Sequence, residues 1–145
     1  MIRNILTVCV GNICRSPMAE ALLRTKLPDV AVASAGIAAP SGALADPLAQ
    51  ELMLERGIDI SAHRAKRVIT PSIAGSDLVL VMDLEQKSAI ERAHPLARGK
   101  VFRLGEFGKF EVFDPFRLGR DEFVKCLNLI DQGVDAWVKR IHAIA

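Results

Sequence analysis

Cys9 and Arg15 bracket the segment Val10-Gly11-Asn12-Ile13-Cys14, and Ser16-Pro17 follows at once. A thiol, a guanidinium and a short turn of small residues suit one chemistry: attack of sulfur on a phosphorus whose oxygens are held. Backbone N–H groups of a tight loop entering a helix converge on an anion, and the helix dipole adds to that field. Arg15 offers a planar fork of donors to two phosphate oxygens, which lysine does not. The same positive field favours Cys9 as a thiolate. Loop residues Val10, Gly11, Asn12, Ile13, Cys14, Arg15 and Ser16 are therefore read as a phosphate cradle with a nucleophile at its base. Gly11 and Asn12 are expected to supply positive φ, and the Ser16 hydroxyl is close enough in sequence to bond the Cys9 sulfur. A Cys and an Arg at this spacing carry little by themselves; alone, Cys9 is a buried strand cysteine and Arg15 a helix-end surface residue.

The flanking elements supply the context. Ile5-Leu6-Thr7-Val8-Cys9-Val10 is a short apolar, β-branched run and reads as a buried strand. Pro17 opens a helix through Arg24, with Ser16 placed to cap it. Val30 to Ser34 reads as a second strand, closed by Ala35-Gly36. Asp46-Pro47 starts a helix that Gly57 ends, and Thr70-Pro71 starts a short helical turn. Asp77 to Met82 is the clearest buried strand, and Lys100 to Leu104 a weaker one. Asp83 either caps the helix that follows, to about Ala93, or orients the loop. Phe123, Leu127, Ile130, Val134, Trp137, Ile141 and Ile144 recur at alternate spacings of four and three, the apolar face of one long helix. Strands alternating with helices predict an α/β fold with a parallel sheet covered on both faces. Ligands bind such sheets at the carboxyl ends of the strands, where the loop after the first strand lies.

Composition bounds the alternatives. The 145 residues suit one domain spanning 1–145, half of them hydrophobic, with a formal net charge of +2. That balance argues against disorder and gives no electrostatic case for nucleic acid. No apolar run is long enough to insert in a membrane, and the start of the chain has no leader pattern. Three cysteines do not make a disulfide scaffold, so a cytoplasmic setting is expected, with any functional thiol catalytic. His94 and His142 stand in separate contexts, so neither a metal nor another cofactor is expected. The nucleotide-binding patterns Gly-x-x-x-x-Gly-Lys-Ser/Thr and Gly-x-Gly-x-x-Gly are absent.

Expelling an alkoxide or phenolate from a phosphate ester needs a proton donor. Asp114, ahead of Pro115 and outside the regular elements, is the candidate, although Asp-Pro also opens ordinary turns. Cys14 lies in the same electropositive loop as Cys9 and could trap oxidised Cys9 as a disulfide. Cys126 falls beside the apolar stripe of the last helix and reads as structural.

The run Val8-Cys9-Val10-Gly11-Asn12-Ile13-Cys14-Arg15-Ser16-Pro17, followed by Met18-Ala19-Glu20, resembles the signature of the low-molecular-weight protein-tyrosine phosphatases, in their bacterial branch. Asp114-Pro115-Phe116 resembles the family's Asp-Pro-Tyr motif. Ser34-Ala35-Gly36, Ala62-His63-Arg64-Ala65 and Val81-Met82-Asp83 sit where the family has similar segments. The resemblance covers essentially the whole chain. It implies a single domain with a four-stranded parallel sheet flanked by helices, and a metal-free phosphocysteine mechanism on Cys9 with Asp114 as acid and then base. It implies that Asn12, Ser16, Ser34 and His63 support the loop. Val10, Ile13 and Phe116 are plausible apolar walls for an aryl ring, and Ile37 to Ala45 lacks the aromatic that some members place opposite. A phosphotyrosine-bearing protein is the implied substrate, among bacterial relatives often a tyrosine autokinase of capsule or exopolysaccharide export.

Three rival readings differ in identifiable residues. An arsenate reductase needs further cysteines near residues 80 to 90, where this chain has Val81-Met82-Asp83. A protein-arginine phosphatase typically carries Thr where this chain has Ile13. A phosphate-binding module needs the cradle but neither Cys9 nor Asp114. Arg64, Lys66, Arg67, Arg117 and Arg120 are either a solvated surface or an attraction for an acidic phosphopeptide.

Overall fold

The computed structural model describes residues 1–144. Its strands are β1 (Asn4–Cys9), β2 (Ala31–Gly36), β3 (Leu78–Val81) and β4 (Val101–Arg103). Its helices are α1 (Arg15–Lys26), α2 (Pro47–Glu55), α3 (Thr70–Ala74), α4 (Leu84–Ala93) and α5 (Arg120–Ile144), with a short 3-10 turn at Pro95–Ala97. The four strands form one parallel sheet in the order β2-β1-β3-β4. Strand order therefore reverses at β1, and the loop after Cys9 opens at that switch point, where open α/β sheets bind ligands.

Alternation along β1 builds a core on each face of the sheet. Ile5 and Cys9 join the larger cluster, with Met18 and Leu22 of α1, Met53 of α2 and Phe123, Leu127 and Ile130 of α5. Leu6 and Val8 face the smaller cluster with Ile73 of α3 and Ile90 of α4. Two predicted caps are present: Asp46 Oδ1 accepts from Leu48 N, and Asp83 Oδ1 from Gln86 N.

Three local expectations are corrected. Helix α1 starts at Arg15 behind Cys14 and carries no side-chain cap. Ser16 cannot cap because its hydroxyl is already engaged by Cys9 and Asn12. Pro17 still falls in the first turn, where a missing N–H costs nothing. β2 runs on past Ser34 to Gly36, which bridges to Arg67. Ile144, assigned above to the apolar stripe, is exposed, and the buried face ends at Ile141.

That face also buries Cys126 and Gly133, which the periodicity did not include. A Cβ on Gly133 would sit 2.7 Å from both Cγ and the carbonyl oxygen of Leu104. Alanine is the better helix former by about 1 kcal/mol, yet here it must push α5 off the end of β4. Gly133→Ala is therefore expected to destabilise the fold, by about 1–3 kcal/mol, a sign opposite to helix propensity. Urea unfolding of the two proteins checks this.

Candidate active site

The loop is organised around Asn12. Its φ is 55°, the left-handed region that Asn tolerates better than most residues. In that conformation its N–H points at Cys9 Sγ, 3.2 Å away. Its side-chain amide donates to Ser16 Oγ at 2.8 Å and to Ser34 Oγ at 2.9 Å, while Oδ1 accepts from Lys66 N at 3.0 Å. Its carbonyl meets His63 Nε2 at 2.7 Å. One fully buried residue, through its main chain and its amide, thus ties β1, α1, β2 and the 63–66 segment together. Gly11 is not among the residues with positive φ, contrary to expectation. The glycine the loop requires is Gly36, where a Cβ would lie 2.6 Å from the Val10 carbonyl and 3.0 Å from Asn12 Cβ.

Cys9 Sγ collects the donors of this frame. Ser16 Oγ is 2.9 Å away, and because its oxygen already accepts from Asn12, its own proton is free to point at the sulfur. Ser16 N approaches at 3.5 Å and Asn12 N at 3.2 Å. Three donors thus converge on this one buried sulfur. The other two thiols are held protonated. Burial, aided by the carboxylate of Asp46, pushes Cys14 far up, and burial pushes Cys126 up to about 12. Cys126 instead donates to the Phe113 carbonyl at 3.5 Å.

Arg15 is only 4% exposed. Its Nη1 donates to the Val112 carbonyl at 2.9 Å, and its Nη2 lies 3.7 Å from Asp114 Oδ2. Val112 is itself pinned, its N–H donating to the Met82 carbonyl at the end of β3. The guanidinium is therefore held over the loop with donors to spare, as bidentate phosphate binding demands. Asp114 is half exposed; its Oδ1 accepts from Phe116 N, an Asx turn that fixes the carboxylate beside Arg15. The first turn of α1 carries no side-chain cap. A cleft of about 450 Å³ opens there between Val10, Ile37, Phe113 and Asp114.

A model of the family described as low molecular weight phosphotyrosine protein phosphatase matches residues 4–144. The chain belongs to that family. Among similar phosphatases is a probable low molecular weight protein-tyrosine-phosphatase EpsP of Ralstonia nicotianae, 54% identical over 99% of both chains. Of solved structures, Vibrio vulnificus Wzb in complex with benzylphosphonate superposes with a TM-score of 0.93 at 39% identity, covering 97% of this chain and 99% of that one. A YwlE arginine phosphatase from Geobacillus stearothermophilus does so at 0.92 and 33%, covering 97% and 94%. Because both phosphotyrosine and phosphoarginine enzymes share the phosphatase fold this closely, the fold does not choose between them.

The structure joins Cys9, Asn12, Ser16, Ser34 and His63 in one hydrogen-bonded network and sets Arg15 against Asp114 at the end of the same loop. Of the expected ring walls, Val10 lines the cleft, whereas Ile13 and Phe116 stand outside it. Ile13 is half-buried against the core, and Phe116 is exposed under the Arg117 guanidinium, 5.0 Å from its ring. Ile37 and Phe113 also line the cleft. Sequence reasoning missed them, and also missed Val112 and Lys66, which act through backbone atoms and leave no residue-type signal. Glu20, which accepts the Ser34 hydroxyl, was quoted in the motif but given no role.

Proposed function

We propose that this chain removes phosphate from phosphotyrosine in proteins by two in-line displacements at Cys9. Loop N–H groups and Arg15 bind the phosphate oxygens. The thiolate attacks phosphorus, the P–O bond to the ring breaks, and Asp114 gives its proton to the departing phenolate oxygen. Water then attacks the phosphocysteine, Asp114 takes the proton, and the P–S bond breaks to release phosphate. Asn12, Ser34 and His63 hold the loop in its attacking shape, and the Ser16 hydroxyl stabilises the sulfur as nucleophile and again as leaving group. No metal or other cofactor takes part. The observation that carries this reading is the convergence on one buried sulfur of three donors, with Arg15 and Asp114 beside the same cleft.

Depth supports phosphotyrosine: Cys9 is 2% exposed, so a long aryl ester reaches it where a phosphoserine does not. Ile13 offers no hydroxyl to a guanidinium-linked phosphate, and Val81-Met82-Asp83 supplies no relay thiol for arsenate reduction. We assign the site to the cytoplasm, with a tyrosine autokinase of exopolysaccharide export as the protein substrate. Under peroxide, Cys9 oxidises to a sulfenic acid, and the buried Cys14 thiol condenses with it to a disulfide, releasing water.

A single preparation assayed on phosphotyrosine, phosphoarginine and phosphoserine peptides and on arsenate tests the substrate class. Phosphotyrosine is expected to be turned over roughly a hundredfold faster than either other phosphopeptide, with no arsenate reduction. Faster phosphoarginine hydrolysis contradicts the assignment.

A further inference from the structure

The cleft extends beyond the residues that would hold the phosphate. From Val10, Arg15 and Asp114 it runs to the start of α4, where Asp83, Glu85 and Glu111 form its outer wall. Two of these carboxylates have local duties. Asp83 Oδ1 accepts from Gln86 N and Glu111 Oε2 from Leu84 N, so both cap α4, and Glu85 lies in its first turn. Those bonds engage one oxygen each and leave the carboxylates without a cationic partner. Among the described residues no lysine, arginine or histidine lies within ion-pair distance of Asp83, Glu85 or Glu111.

The basic residues anticipated around the mouth do not balance them. Arg120 is committed to Glu51 and Glu55, and Arg117 stacks on Phe116. Neither these nor Arg64, Lys66 or Arg67 lines the cleft. A second feature of the same wall also points to a ligand. Gln86, 4% exposed, gives its Oε1 to Met82 N, while its Nε2 is the one buried side-chain polar atom among the described residues without a partner. A buried donor left unsatisfied is costly, a cost that an incoming carbonyl oxygen would relieve.

We propose that this outer cleft is a subsite for a cationic side chain next to the phosphotyrosine, so that the enzyme selects phosphotyrosine flanked by lysine or arginine. The inference rests on the phosphotyrosine reading above and adds a sign to it. The loop and Arg15 take the dianionic phosphate, while three unpaired carboxylates beyond Asp114 attract positive charge and repel an acidic flank. The unpartnered Gln86 amide offers a donor to a main-chain carbonyl of the bound segment.

The test compares two phosphotyrosine peptides that differ only in carrying Arg or Glu on both sides of the phosphotyrosine, with p-nitrophenyl phosphate as a substrate that has no flank. The wild type is expected to favour the Arg peptide in kcat/KM by about tenfold at low salt, and less at high salt where charge is screened. Glu85→Gln/Glu111→Gln keeps the capping oxygen of Glu111 and is expected to bring the ratio near one, with p-nitrophenyl phosphate turnover unchanged within about twofold. Equal or reversed preference in the wild type overturns the subsite, as does a preference that survives in the variant. Loss of p-nitrophenyl phosphate turnover in the wild type instead overturns the phosphatase reading, and the subsite falls with it.

Discussion

Cys9→Ser is expected to lower hydrolysis of an aryl phosphate by at least about four orders of magnitude while the protein stays folded. Serine keeps the hydrogen-bonding pattern: an oxygen at this position still accepts from Asn12 N and stays within reach of the Ser16 hydroxyl. Its stability cost is expected to be about 1 kcal/mol. What disappears is the reactive anion. A thiol is brought to its anionic form by a few well-placed donors and a helix N-terminus, whereas the same donors leave a serine hydroxyl protonated. Phosphate and its analogues should still bind, because the cradle and Arg15 are untouched. Circular dichroism and inorganic phosphate binding, measured beside turnover, separate this outcome from simple unfolding.

Asp114→Ala is expected to lower kcat on phosphotyrosine by about two to three orders of magnitude and to leave KM nearly unchanged or lower. Two opposing effects set KM. Removing the carboxylate takes a negative charge away from the incoming dianion and frees the Arg15 Nη2 that now sits 3.7 Å from it. Removing the proton donor leaves the leaving group to depart as an anion, which a tyrosine phenolate does poorly. The loss should therefore grow as the phenol becomes more basic, and be smallest for p-nitrophenyl phosphate. Rates for a series of aryl phosphates check this. A merely structural aspartate, holding its turn through the Phe116 N–H, would cost every ester alike.

Sequence reasoning reached far here for physical reasons that can be traced. β1 and β3 are buried on both faces, so their apolar runs stand out from any alternation, and the strict four-three spacing of Phe123 to Ile141 marks α5 unaided. The loop was legible because thiolate, guanidinium and a positive-φ Asn are side-chain requirements. What escaped was set by the backbone or by tertiary approach. Gly133 looks like a flaw in a helix until Leu104 is seen against it. Ser16 looks like a helix cap until Asn12 and Cys9 claim its hydroxyl. Phe113, one residue before Asp114, lines the cleft and was not singled out, because a lone Phe outside the Asp-Pro-Phe motif carries no signal of its own. The acidic outer wall was hidden for a similar reason. Asp83 and Glu85, at the start of α4, are separated from Glu111 by the rest of that helix and by β4, and only the parallel sheet brings them to one mouth.

The central claim is that phosphate passes through Cys9. Acid quenching of the enzyme during turnover of an aryl phosphate, followed by mass spectrometry of the peptide carrying residues 9–15, tests it most directly. The account predicts one phosphoryl group on Cys9, accumulating further in Asp114→Ala on p-nitrophenyl phosphate, whose leaving group needs no acid while water has lost its base, and absent from Cys9→Ser. A phosphoryl group on another residue, or rapid turnover with no phosphorylated Cys9 at any quench time, would contradict it.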